Sequence, residues 1–157
     1  MSSITVRQAL LSDLDDLAPL LDLHRQFQGQ VGDLPGAREF LLARLQHSES
    51  VVFIAQQAGT ARGFAQLFPS FSSFALARVF VLNDLFVHES GRRQGVGSRL
   101  LAAVQAYCWA LGAVRITLNV ARENGHAQAL YQANGWSQDA QYFMFHRFPE
   151  PQSRPTA

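Results

Sequence analysis

VFVLNDLFVHESGRRQGVGSRLLAAVQAYCWAL, residues 79–111, reads as a strand, a tight basic and glycine-rich turn, and a helix that begins on that turn. The aromatic and β-branched run Val79, Phe80, Val81, Leu82, then Leu85, Phe86, Val87, predicts the strand. Its polar interruption, Asn83-Asp84, falls where a buried strand is expected to be apolar. Leu100, Leu101, Val104, Cys108 and Leu111 line one face of the predicted helix, and Gly112 stops it. Between strand and helix, Gly91-Arg92-Arg93-Gln94-Gly95-Val96-Gly97-Ser98 leaves backbone N–H groups bare at a helix N-terminus. Unpaired amides and the positive end of the helix dipole point the same way there, which makes a site for a phosphate.

The glycine spacing narrows the ligand. A dinucleotide fingerprint needs a third glycine where Leu100 stands, and a P-loop needs a lysine before the serine at Ser98. Arg92-x-x-Gly95-x-Gly97 fits neither. It resembles the pyrophosphate loop of the GNAT family of acetyl-CoA-dependent N-acetyltransferases, which follows a strand. A second segment carries the same resemblance: Asn124-Gly125-His126-Ala127-Gln128-Ala129-Leu130-Tyr131, followed by Asn134-Gly135-Trp136. Asn124 is placed to cap a helix, and Asn134-Gly135 to end it. A strand-like run over residues 113–120, ending ITLNV, separates the two segments.

The resemblance implies an α/β fold with a mixed, mostly antiparallel central sheet, helices on both faces, and a splayed strand pair at the cofactor site. It implies one N-acetyltransferase domain over residues 1–148, with residues 149–157, rich in proline, a disordered tail. The implied reaction is direct transfer of acetyl from acetyl-CoA to a primary amine of a small molecule. Amides from Gln94 through Ser98 then bind the diphosphate, with charge from Arg92 and Arg93. Leu85, Phe86 and Val87 lend main-chain groups to the pantetheine arm and thioester, and Asn124 and Ala127 contact the cofactor. Tyr131 becomes the general acid, because a phenol of pKa about 10 is protonated at neutral pH and can donate to a leaving thiolate.

A lysine-like amine of pKa about 10.4 arrives as ammonium and must lose a proton. Asp84 is the leading group for that step, as base, as ammonium anchor, or as a residue that holds a strand bulge. Many relatives carry glutamate where this chain has Asn83, and an amide cannot act as a base. His24, Phe27, Phe68, Phe71 and Asn83 resemble positions lining the acceptor cleft; phenylalanines can box a cationic amine, and equally can be plain core. Two other readings stay open: acetylation of a peptide or protein tail, and a non-catalytic acyl-CoA-binding protein. An acidic groove would favour the first, and the one acidic cluster is at residues 13–16.

Bulk properties set outer bounds. The chain has 157 residues and a formal charge of +1, so no global basic field recruits nucleic acid. The single cysteine, Cys108, cannot form an internal disulfide and is expected to be core packing. The five histidines lack metal-ligand spacing, so no metal is expected. No secretory leader or membrane span is read, so the expectation is a cytoplasmic protein with a small-molecule partner, and a homodimer is compatible with the chain.

The remaining elements follow from local signals. Ile4 and Val6 open a short strand; Ser12 is expected to cap a helix carrying Leu14, Leu17 and Leu20 or Leu21, which breaks at Gly29. A second helix carries Phe40, Leu41, Leu42 and Leu45. Residues 51–55 and 63–68 form a hairpin around Gln57-Ala58-Gly59-Thr60, residues 68–73 form a loop, and the last strands are expected near Trp136-Ser137 and over residues 141–148.

Overall fold

The computed structural model describes residues 3–150. The expected tail therefore falls, from residue 151 onward, outside the described residues. In chain order the elements are β1 (Ile4–Gln8), α1 (Leu14–Phe27), α2 (Leu34–Gln46), β2 (Val51–Gln57), β3 (Thr60–Ser72), β4 (Ala77–Val87), α3 (Val96–Ala110), β5 (Ile116–Thr117) and α4 (Gly125–Ala133). The strands form one sheet in the order β1-β2-β3-β4-β5. The first four pair antiparallel and β5 joins β4 in parallel. No helix among the described residues is long and apolar enough to cross a membrane.

Strand alternation divides the core into two layers. Phe53, Ala55, Ala65, Leu67, Phe80 and Leu82 pack under α3 against Leu100, Leu101, Val104 and Cys108. Val52, Ile54, Phe64 and Phe86 pack against Leu17, Leu21 and Leu41 of α1 and α2. Cys108 is fully buried, and burial pushes its thiol up to about 11, consistent with packing and not with reactivity. Gly63 allows the sheet to meet α3 closely: a Cβ there would lie 2.7 Å from the Phe86 carbonyl oxygen and 3.3 Å from Leu100 and Val96.

Four expectations need correction. Ser12 does not cap α1; it lies in a short 3-10 turn, and the residue before α1 is Asp13, whose carboxylate instead binds Arg7 at 2.8 Å and accepts from the Leu10 amide at 2.7 Å. The expected loop at residues 68–73 is mostly strand. The ladder to β2 ends at Leu67, so Pro69 occupies a two-stranded stretch, where a missing N–H costs no bond to β2. The expected strand over residues 113–120 pairs only at Ile116 and Thr117. The last strands do not form: residues 137–148 join no sheet, and Tyr142, Phe143, Met144 and Phe145 stand 79%, 92%, 59% and 91% exposed. Their sequence has strand character, but a strand needs a paired neighbour to satisfy its backbone.

Candidate active site

β4 and β5 part almost as soon as they meet. They pair at Phe80–Ile116 and Val81–Thr117, and β4 then continues six residues to Val87 with no strand on that side. The stretch Leu85, Phe86 and Val87 thus has no ladder on the β5 side, in keeping with the splayed pair that the family resemblance implies. At its end the chain makes a 3-10 turn over Glu89–Gly91 and enters α3 at Val96. Arg93 and Gly95 take left-handed conformations, with φ of +63° and +78°. Gly95, the N-cap, offers no side-chain cap, so the first-turn amides of Val96, Gly97 and Ser98 lack intrahelical acceptors. Arg92 folds back along β4: its Nε donates to the Val87 carbonyl at 3.1 Å, and its guanidinium lies 6.0 Å from the Phe27 ring centroid.

α4 is fastened to this turn. Asn124 caps α4 by accepting from the Ala127 amide at 3.1 Å. The Ala127 N–H is thereby used within the helix. At the other end, Asn134 Nδ2 donates to Ser98 Oγ at 3.2 Å. Leu130 lies so close to Gly97 that a Cβ on that glycine would sit 3.0 Å from it. Tyr131, the next residue, is half-buried and packs at 5.9 Å against the Trp136 ring. Burial raises the Tyr131 phenol above its ordinary value, so it stays protonated throughout the neutral range.

The polar interruption in β4 has a structural reason. Gln66 of β3 faces Asp84, but Leu67 faces Leu82, so Asn83 is an extra residue, a bulge. The bulge switches the faces of β4. Phe80 and Leu82 point to α3, whereas Phe86 packs with α1 and α2. Asp84 follows Phe86 and reaches α1, where it lies 3.5 Å from His24 Nε2. Gln66 Nε2 donates to Asp84 Oδ2 at 2.7 Å and Asn83 Nδ2 at 3.1 Å. His24 is buried between Phe86 and Phe64, with centroids at 5.4 and 6.1 Å. Burial lowers the imidazole below its ordinary value despite the nearby carboxylate, so His24 is neutral at pH 7.

The structure brings together some of the acceptor residues named from the sequence and separates others. His24, Asn83 and Asp84 are neighbours, and Phe68 follows Gln66 on β3. Phe27 lines a hollow of about 210 Å³ with Leu23, Phe86, His88, Glu89 and Arg92. Phe71 sits at the far end of the β3–β4 hairpin, opposite Arg78, whose guanidinium is 5.2 Å from its ring. Phe86 is eight residues further along β4, roughly 25 Å at the rise of a strand. Phe27 and Phe71 therefore make no common box, and each already faces an arginine. Gln66 was not foreseen; the signal was an amide inside the apolar run GFAQLF. His126 is exposed, and His88 bonds Ser90 at 2.7 Å. Two of the three acids of the cluster are paired, Asp13 with Arg7 and Asp15 with Arg38, and Asp16 is exposed. Among the described residues, no group of three or more His, Cys, Asp or Glu could hold a metal ion.

Known proteins share this fold. The acetyltransferase (GNAT) family profile matches residues 17–136. An N-acetyltransferase of Bacillus subtilis, YhfO, of uncharacterised activity, is 44% identical over 136 residues, covering 87% of this chain and 91% of that one. A crystal structure of a probable acetyltransferase superposes with a TM-score of 0.89 at 35% identity, covering 94% and 99% of the two chains. An aminoglycoside N-acetyltransferase, AAC(6')-Iy, solved with CoA, has the same fold, with a TM-score of 0.78 at 24% identity over 94% and 96%. The matched region runs from α1 through β4 and α3 to the end of α4, and by it the chain belongs to the acetyltransferase (GNAT) family and is an acyltransferase enzyme.

Proposed function

We propose that the protein transfers acetyl from acetyl-CoA directly to a primary amine of a small molecule. The observation that carries this reading is that β4 runs on past β5, unpaired on that side along Leu85–Val87, into the bare N-terminus of α3, to which α4, the helix that carries Tyr131, is fastened through Asn134 and Ser98. Amides from Gln94 to Ser98 hold the diphosphate, where the dipole of α3 favours negative charge. Arg93 and the guanidinium nitrogens of Arg92 not bonded to Val87 add charge from the rim. The main chain of Leu85, Phe86 and Val87 bonds the pantetheine arm, apart from the Val87 carbonyl, which already accepts from Arg92, and one of its amides polarises the thioester carbonyl. Asn124 contacts the cofactor through the amide nitrogen that its cap leaves over, and Ala127 through its methyl group.

Tyr131 gives its proton to the thiolate as the C–S bond breaks. Asp84 receives the amine. The small-molecule reading draws support from the enclosed position of Asp84, 8% exposed, from the pairing of Asp13 and Asp15 with arginines, and from the aminoglycoside enzyme of the same fold. We also propose a homodimer, in which the exposed segment Tyr142–Phe145 is covered by a second copy.

The test is thiol release from acetyl-CoA with a panel of diamines, amino acids, aminoglycosides and peptides. All 13 basic residues are arginine, so the chain offers no lysine of its own as a competing acceptor. Turnover with at least one small amine, exceeding that with peptides, is expected. Faster turnover of peptides would reassign the substrate, and tight CoA binding without turnover of any acceptor would make this a binding protein.

A further inference from the structure

Asp84 has two amide donors and a histidine beside it, and among the described residues no arginine pairs with it. Its Oδ2 takes both amide donors, Gln66 and Asn83. Its Oδ1 faces His24 Nε2 at 3.5 Å, well beyond an ordinary N–H···O separation of about 2.9 Å. Gln66 Oε1 and His24 Nδ1 are buried without hydrogen-bond partners. Around the imidazole, β3 presents Phe64 and Gln66, β4 presents Asp84 and Phe86, and α2 packs Leu41 and Leu45 into the same layer; His88, Glu89 and Arg92 lie in the hollow that Phe86 shares with Phe27. A buried carboxylate left with neutral neighbours is costly, and a donor-rich cation from outside relieves it. A primary ammonium, with three N–H donors, has that chemistry.

We propose that Asp84 and His24 activate the acceptor together: Asp84 holds the substrate ammonium, and His24 takes its proton. The proposal rests on the transferase reading above and deepens it, because it places the proton acceptor on α1, away from the Asn83 position. His24 is suited to accept, being neutral in its burial between two phenylalanines. The bound ammonium donates one N–H to Asp84 Oδ1 and one to His24 Nε2. Transfer to Nε2 leaves a free amine and an imidazolium beside the carboxylate, a paired product. The amine lone pair then forms the C–N bond at the thioester carbon. As the C–S bond breaks, sulfur keeps its electron pair and takes the Tyr131 proton. The new amide nitrogen sheds a second proton, which restores the phenol, and His24 releases the first to solvent. One proton leaves per turnover, as conversion of an ammonium to an amide requires.

Two measurements test this. In kcat against pH with an accepted amine, His24→Gln is expected to lose about 100-fold or more at pH 7 and to regain rate as pH rises toward the amine's own pKa. A structural loss would instead be the same at every pH. A loss under threefold at pH 7, or a pH-independent loss, overturns the proposal. The second measurement needs no turnover: NMR titration of the His24 imidazole in the wild type and in Asp84→Asn. The wild-type resonance is expected to titrate below the ordinary histidine value of about 6.5, and Asp84→Asn, which removes the charge that opposes the effect of burial, to lower it further. An unchanged titration breaks the pair and the proposal with it. Should no amine be turned over, the transferase reading fails by itself, and the titration still decides whether His24 and Asp84 act as a pair.

Discussion

At the scale of single residues, Tyr131 and Asp13 give the clearest expectations. Tyr131→Phe removes the proton donor and leaves the ring packed on Trp136. It is expected to lower kcat about 100-fold while CoA binding, followed by calorimetry, stays within threefold. Because burial raises the phenol, the alkaline loss of wild-type activity attributable to this group is expected to begin above the ordinary tyrosine value of about 10. Asp13 accepts two bonds from Arg7 and one from the Leu10 amide, and the Arg7 bond, ahead of the other causes, holds its carboxyl below the usual range. A carboxylate depressed in the folded state stabilises the fold above its unfolded value of about 3.9, and that contribution disappears as pH falls through the folded value. Asp13→Asn is therefore expected to cost about 1–3 kcal/mol at pH 7 in urea unfolding, with the difference vanishing in acid. His24 obeys the same rule at a higher pH: its lowered imidazole favours the fold above about 6.5 and weakens it as pH falls below.

At the scale of elements, the turn from β4 into α3 and its fastening to α4 organise the site. Gly97→Ala places a methyl 3.0 Å from Leu130, and Asn134→Ala removes the bond to Ser98. Both are expected to weaken CoA binding several-fold with little change in urea midpoint, because they disturb how two helices meet and leave both core layers intact. α3 and α4 were legible in the sequence, since each carries its own start and stop: Gly95 and Gly112 for α3, Asn124 and Asn134 for α4. The bulge was legible only as an anomaly. Asn83-Asp84 announced a polar break in an apolar strand, but its partners Gln66 and His24 lie 18 and 60 residues away and nothing local names them. The overextended expectations share one cause. Residues 113–120 and 141–148 have strand propensity, and propensity becomes a strand only where a neighbour accepts the ladder.

At the scale of the molecule, the exposed segment Tyr142–Phe145 lies against the chain that leaves β5. Asn119 Nδ2 reaches Met144 Sδ at 3.9 Å, but no ladder joins the two stretches. Covering these four side chains in each of two copies removes on the order of 1,200 Å² from water, the lower end of what stable interfaces bury. Sedimentation at micromolar concentration is expected to give a dimer, and Phe143→Ser with Phe145→Ser to shift it toward monomer; a wild-type monomer at 100 μM would refute the dimer and leave the transferase reading standing. That reading depends on one contact, the diphosphate of the cofactor against the N-terminus of α3, and calorimetry of CoA beside pantetheine measures it directly. The account predicts that CoA binds and that pantetheine, which lacks the diphosphate, binds roughly 100-fold more weakly, an order of magnitude expected from losing several charge-assisted bonds. Equal affinities, or no CoA binding at all, would contradict it.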